Sequence, residues 1–188
     1  QAGAPEATVQ HIVADVVDEE AVAAAVALAA EPCGTLDVVV ASAGGSESIG
    51  PVHTLDTDAF RRTLELNVVG TLLPLKHAAP LMTANGRGSF IGLSSLAASR
   101  PHPWFGAYGP AKAGIEMLVQ QSAIELGPSG VRVNAVAPGL VDTELVGAVV
   151  AGGPVLEDYL EQTPLGRVGT PEDIAEAIRY LAGPESSW

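Results

Sequence analysis

The chain has 188 residues, room for one domain with a full-sized core. Hydrophobic residues reach 47% and charged residues only 16%, which excludes global disorder. With 9 basic against 22 acidic residues the net charge is -13, so the basic surface that displaces counterions from a nucleic acid is lacking, and no nucleic-acid partner is expected.

The longest nearly all-apolar stretch, Ala21–Ala30, is too short to span a bilayer, so no membrane partner is expected either. One cysteine, Cys33, rules out an internal disulfide framework and fits a reducing, cytoplasmic compartment. His11, His53, His77 and His102 have no mutual ligand spacing, so no metal site is expected. The chain starts at Gln1 and stops straight after a helical pattern. It reads as a piece of a longer chain, cut at both ends.

Val9–Ala14 reads as a strand ending at Asp15. Asp18 is the N-cap expected of a helix through Ala30, stopped by Pro32 and Gly34. Leu36–Val40 is a short continuous apolar run, the pattern of a strand buried on both faces, and Gly44-Gly45 break it. A helix starts at Thr57-Asp58 and runs to Leu75 or beyond, with Pro74 and Pro80 expected to limit it. Gly88–Ser95 reads as a strand, Ala107–Leu126 as a long helix and Val131–Ala137 as a strand. A loop-rich insert, 140–166, precedes a last helix from Pro171 through Ala182.

Strands alternating with helices imply parallel strands, hence an α/β doubly wound sheet with helices on both faces, in a single domain over 1–188. Ligands of such sheets bind beyond the strand C-termini. Those ends carry Asp15, Ala43-Gly44, Ser94-Ser95 and Pro138-Gly139.

Tyr108 and Lys112 stand four residues apart, on one face of the long helix. A phenol of pKa about 10 is a poor acid–base group at neutral pH, and a nearby ammonium favours its phenolate. Ser95 lies thirteen residues before Tyr108 at a strand end, where its hydroxyl can meet the same carbonyl or alkoxide. Asn67 sits mid-helix, where asparagine is mildly unfavourable.

Together Ser95, Tyr108 and Lys112 resemble the Ser–Tyr–x–x–x–Lys signature of the short-chain dehydrogenase/reductase family, and Leu66–Gly70 is similar to its asparagine-bearing helix segment. Val131–Thr143 resembles its Pro-Gly strand end, and Ala14-Asp15-Val16 the segment that meets adenine. Pro164–Arg167 and Pro171–Ala175 resemble the classical subgroup. The resemblance implies a Rossmann-like fold of sheet order 3-2-1-4-5-6-7, of which this chain holds strands 3, 4, 5 and 6. Leu36–Val40 is then left with an apolar edge unless Val9–Ala14 moves over to pair with it.

The resemblance also implies an NAD(P)-dependent oxidoreductase interconverting an alcohol and a ketone, with NAD or NADP left open. Tyr108 would be the proton donor or base. Lys112 would lower the Tyr108 pKa and hold the nicotinamide ribose. Ser95 would polarise the carbonyl, and Asn67 would hold a relay water. Asp15, Val16, Ala41, Ala43, Gly44, Asn67, Tyr108, Lys112, Pro138, Gly139, Val141 and Thr143 would line the cofactor, and Ser95 and Tyr108 would meet the substrate. Ala41-Ser42-Ala43-Gly44 departs from the family's Asn-Asn-Ala-Gly and loses a bracing amide at Ala41.

His102, Trp104 and Phe105 are placed to wall the substrate pocket, and Leu145–Gln162 falls where the family carries a lid, with Gly147, Gly152 and Gly153 as hinges. A homodimer or homotetramer through helices near 58–79 and 107–126 is implied as well. No glycine-rich phosphate-cradling turn precedes Asp15, so the 188-residue chain alone is expected to be inactive. Two other readings stand beside the oxidoreductase. One is a non-enzymatic scaffold that keeps the fold. The other is a reductase of 3-oxoacyl groups on an acidic carrier protein, which needs a basic patch from Arg61, Arg62, Arg87 and Arg100.

Overall fold

The computed structural model describes residues 9–147 and 152–188. Three parallel strands form one sheet in the order β1 (Val38–Ala41), β2 (Gly88–Leu93), β3 (Val131–Val136). Their register aligns the C-terminal ends: Ala41 stands opposite Gly92, and Leu93 opposite Val136. Ser94, Pro138 and the Gly44-Gly45 turn therefore emerge along one rim.

Helix α1 (Glu19–Ala30) starts where the sequence places it. Asp18 Oδ1 accepts the main-chain N–H groups of Glu20 and Ala21 at 3.0 and 3.1 Å. Between β1 and β2 run α2 (Thr57–Leu64), one π turn (Glu65–Val69) and α3 (Gly70–Asn85). Then come α4 (Tyr108–Leu126), a short α5 (Pro154–Glu161) inside the insert expected to be loop-rich, and α6 (Pro171–Ala182).

The core lies between the sheet and the α3/α4 layer. Leu75, Ala78 and Met82 of α3 and Ile115 and Val119 of α4 pack on Phe90, Val131 and Val133. Helix α6 covers the opposite face, where Ser89 Oγ donates to Leu181 O at 2.8 Å. Among the described residues no helix is long and apolar enough to cross a membrane.

Two expectations are corrected. Residues 9–14 form no strand, because a strand exists only through a ladder and no described segment pairs with them. Among the described residues nothing pairs with the outer edge of β1, and Val38 and Val40 are exposed at 40% and 41% rather than buried as the apolar run suggested. Pro74 and Pro80 do not limit the helix but lie inside α3. Each proline costs about 3 kcal/mol in a helix interior, and burying Leu73, Leu75 and Met82 at roughly 1.5–3 kcal/mol apiece offsets that.

Candidate active site

The parallel ladder carries on past the strands. Ser94 N–H donates to Val136 O and Leu96 N–H to Pro138 O, both at 2.8 Å. Ser95 is thereby clamped between two main-chain bonds, next to Pro138. Its own hydroxyl accepts the Ala97 N–H at 3.2 Å, capping the short turn Leu96–Ala98.

Helix α4 begins at Tyr108 and lies close to this turn, where a Cβ on Gly109 would come within 3.1 Å of Ala97 O. One turn along, Lys112 is 4% exposed. Its Nζ donates to Leu93 O at 2.8 Å and stands 5.4 Å from the centroid of the Tyr108 ring. Burial pushes the Lys112 ammonium down to about 8.

The Tyr108 phenol is raised above its ordinary value by burial, with the neighbouring Ser95 hydroxyl pulling the other way. The expected lowering by Lys112 is not found. The ammonium lies over the ring and is turned onto Leu93 O, so desolvation dominates. At neutral pH the site thus holds a protonated phenol, able to give a proton to an oxygen held beside Ser95.

Asn67 occupies the π turn, an irregularity in which one carbonyl–amide pairing is skipped. Its buried amide is fully engaged: Nδ2 donates to Gly45 O at 2.7 Å and to Thr63 O at 2.8 Å, and Oδ1 accepts the Gly45 N–H at 3.3 Å. The side chain therefore braces the Gly44-Gly45 turn at the end of β1. A Cβ on Gly44 would stand 2.7 Å from Asn67 Oδ1 and 2.9 Å from Lys112 Nζ. Only glycine lets the turn come this close to both side chains. Lys112 spends one N–H on Leu93 and keeps two for a ribose.

The other expected cofactor residues border the same rim. Ala41 closes β1, and Ala43 is exposed beyond it. Asp15 Oδ1 accepts the Val17 N–H at 3.1 Å. Val16 packs on Gly70, whose Cβ would meet Val16 Cγ2 at 2.9 Å, so this segment is held near the π turn. Beyond β3 come Pro138, Gly139 and Val141, the last bridged in parallel to Gly169, and Thr143 precedes a short turn at Glu144–Val146.

Rings gather on the substrate side. Phe105 and Tyr108 have centroids 5.9 Å apart, and His102 stacks on Tyr159 of α5 at 5.2 Å and 20°. Tyr159 was invisible to sequence reasoning, because no spacing rule links it to residues some fifty positions earlier. Trp104, expected in the wall, is 59% exposed with φ 74°. It borders an apolar cavity of about 700 Å³ with Val52, Ala98 and Phe105, which Ser95, Tyr108 and Lys112 do not line. Of the expected lid, Leu145–Gln162, residues 148–151 lie outside the described residues.

Residues 1–188 match the profile of a family described as enoyl-(acyl carrier protein) reductase. The cis-4-hydroxycyclohexanecarboxylate dehydrogenase of Sinomonas cyclohexanicum is 41% identical over 174 residues, 93% of this chain and 69% of that protein. A short-chain type dehydrogenase/reductase from Mycobacterium ulcerans superposes with TM-score 0.90 at 46% identity, over 93% of this chain and 63% of that one. A 7α-hydroxysteroid dehydrogenase complexed with NADH and 7-oxoglycochenodeoxycholic acid gives TM-score 0.84 at 34% identity, over 93% of this chain and 68% of that one. The chain thus spans about two thirds of the length of each of these relatives. Matched along its whole length and closely superposed on such relatives, the chain belongs to the short-chain dehydrogenase/reductase family.

Proposed function

We propose that the protein carrying this chain is an NAD(P)-dependent oxidoreductase interconverting a secondary alcohol and its ketone. The convergence of Ser95, Tyr108 and Lys112 at the strand rim, behind a glycine turn braced by Asn67, carries this reading. Relatives that act on a hydroxycyclohexanecarboxylate or a hydroxysteroid support an alicyclic substrate.

A bound nicotinamide supplies the hydride to the carbonyl carbon in reduction and accepts it in oxidation. Tyr108 gives its phenolic proton to the carbonyl oxygen, or takes the alcohol proton in the reverse direction. Ser95 donates a hydrogen bond to the same oxygen and fixes the carbonyl. Lys112 would hold the ribose with the two N–H groups that Leu93 leaves. Asn67 acts as a positioning residue, since its amide is spent on Gly45 and Thr63. Asp15, Val16, Ala43, Pro138, Gly139 and Thr143 border the remainder of the dinucleotide.

The carrier-protein reading has less support. Arg61, Arg62 and Arg87 are each paired with a carboxylate, Asp58, Glu47 and Asp37 respectively, so no basic patch of the kind an acidic carrier needs is free. A homodimer or homotetramer, proposed through α3 and α4, fits exposed Leu72 on α3 and Met117 and Ile124 on α4.

The test is oxidation of NADH and NADPH by the full-length protein with an alicyclic ketone such as cyclohexanone. Turnover with either nucleotide is expected. Binding of both nucleotides without turnover of any ketone would favour the scaffold reading instead.

A further inference from the structure

The chain has nine lysines and arginines. Six stand in ion pairs with carboxylates, as Arg62 does with Glu47 and Arg167 with Asp173. Arg132 is spent on main-chain carbonyls at the end of α6, and Lys112 on Leu93. The ninth is Arg100. Among the described residues its guanidinium has neither a carboxylate nor a hydrogen-bond acceptor.

Its position is specific. Arg100 N–H donates to Leu96 O at 2.9 Å, which closes the turn that Ser95 caps. Two residues on, His102 stacks on Tyr159 of α5. Burial raises the Tyr159 phenol, Arg100 draws it down, and Asp158 and Tyr108 push it up. One tyrosine of α5 thus stands within electrostatic reach of both the reacting phenol and the uncompensated cation.

A chain of net charge -13 repels anions. An unpaired guanidinium on the turn that Ser95 caps offers a positive charge close to that residue. A guanidinium also matches a carboxylate in a bidentate fork. Binding energy taken at that remote end can align the carbonyl at the reacting end.

We propose that Arg100 anchors a carboxylate on the substrate, so that the alcohol or ketone handled at Ser95 and Tyr108 is an anionic one, held at its far end by this arginine. The inference rests on the oxidoreductase reading and names its substrate class.

Two measurements on the full-length protein test it. The first is calorimetric binding of cyclohexanecarboxylate and of neutral cyclohexanecarboxamide, neither of which can react. Wild type is expected to prefer the carboxylate by about tenfold or more. Arg100→Gln should abolish that preference, and Arg100→Lys should restore part of it. Arg100 is exposed and holds no other side chain, so the fold survives the change. A carboxylate bound no tighter than the amide, or a preference that survives Arg100→Gln, overturns the proposal.

The second is turnover of 4-oxocyclohexanecarboxylate against cyclohexanone. Arg100→Gln should raise KM for the charged ketone about tenfold, leave kcat within about twofold and leave the neutral ketone unchanged. An equal effect on both ketones overturns the proposal. If neither ketone turns over while the carboxylate preference and its loss in Arg100→Gln persist, the oxidoreductase reading fails and the anion site stands.

Discussion

Lys112 Nζ donates its hydrogen bond to the main-chain oxygen of Leu93, the last residue of β2, at 2.8 Å. The contact ties the long helix to the strand end at the level where Ser95 emerges. It also leaves an ammonium in an almost dry place with one acceptor, and burial holds it near 8 rather than 10.5.

A depressed lysine destabilises the fold while it is charged. The sign follows from proton counts: between pH 8 and 10.5 the unfolded chain binds the proton that the folded one has lost, so stability rises with pH across that window. The penalty is full below pH 8, at ~3 kcal/mol, and gone above 10.5. Lys112→Met removes it but orphans Leu93 O, at about 1 kcal/mol. In the full-length protein, thermal unfolding should show the variant more stable at pH 7 by about 1–2 kcal/mol, with the difference passing through zero between pH 8 and 10.5 and reversing to about 1 kcal/mol against the variant above that window. Lower stability of the variant at pH 7 would mean that Lys112 supports the fold rather than straining it.

Gly44→Ala should damage the site without unfolding the protein. The added Cβ meets Asn67 Oδ1 and Lys112 Nζ below 3.0 Å, and Asn67 is locked by three hydrogen bonds. The expected cost is about 1–3 kcal/mol of local repacking, felt as at least a tenfold loss of nucleotide affinity. Fluorescence titration with NADH and NADPH measures it. Unchanged affinity for both would show that the glycine is no part of a cofactor cleft.

Arg132 closes the far side of the sheet. Its Nη1 reaches Leu181 O at 2.7 Å and Ser186 Oγ at 2.6 Å, and its Nη2 reaches Gly183 O at 3.2 Å. These carbonyls end α6, where a cation also complements the helix dipole. Arg132→Met should lower the stability seen in urea unfolding by about 1–3 kcal/mol while leaving nucleotide affinity unchanged. A neutral effect would mean that water satisfies those carbonyls equally well.

The sequence was most legible where function follows a short spacing. Tyr108 and Lys112 share a face because an α-helix puts i and i+4 together, and α4 is regular over that span. Asp18 is equally local and caps α1 as expected, whereas the reciprocal Thr170–Asp173 cap of α6 was not among the expectations although it too is a short-range pattern. Residues 9–14 misled because β-branched apolar residues such as Val9, Ile12 and Val13 record only a tendency to pair, and pairing needs a neighbour. The π turn at Asn67 has no periodic signature, and proline penalties in α3 are outweighed by burial that a local reading cannot sum. Tyr159 meets His102, and Arg100 stays unpaired, only through tertiary folding.

In the proposed reaction Tyr108 delivers and accepts the proton of an alcohol–ketone interconversion. Tyr108→Phe keeps the ring against Phe105 and removes only the hydroxyl. The direct measurement is kcat for ketone reduction by the full-length protein, wild type against Tyr108→Phe, with NAD(P)H affinity measured alongside. The expected result is a fall in kcat of about 10²–10⁴-fold with nucleotide affinity kept. Wild-type kcat in Tyr108→Phe would contradict it.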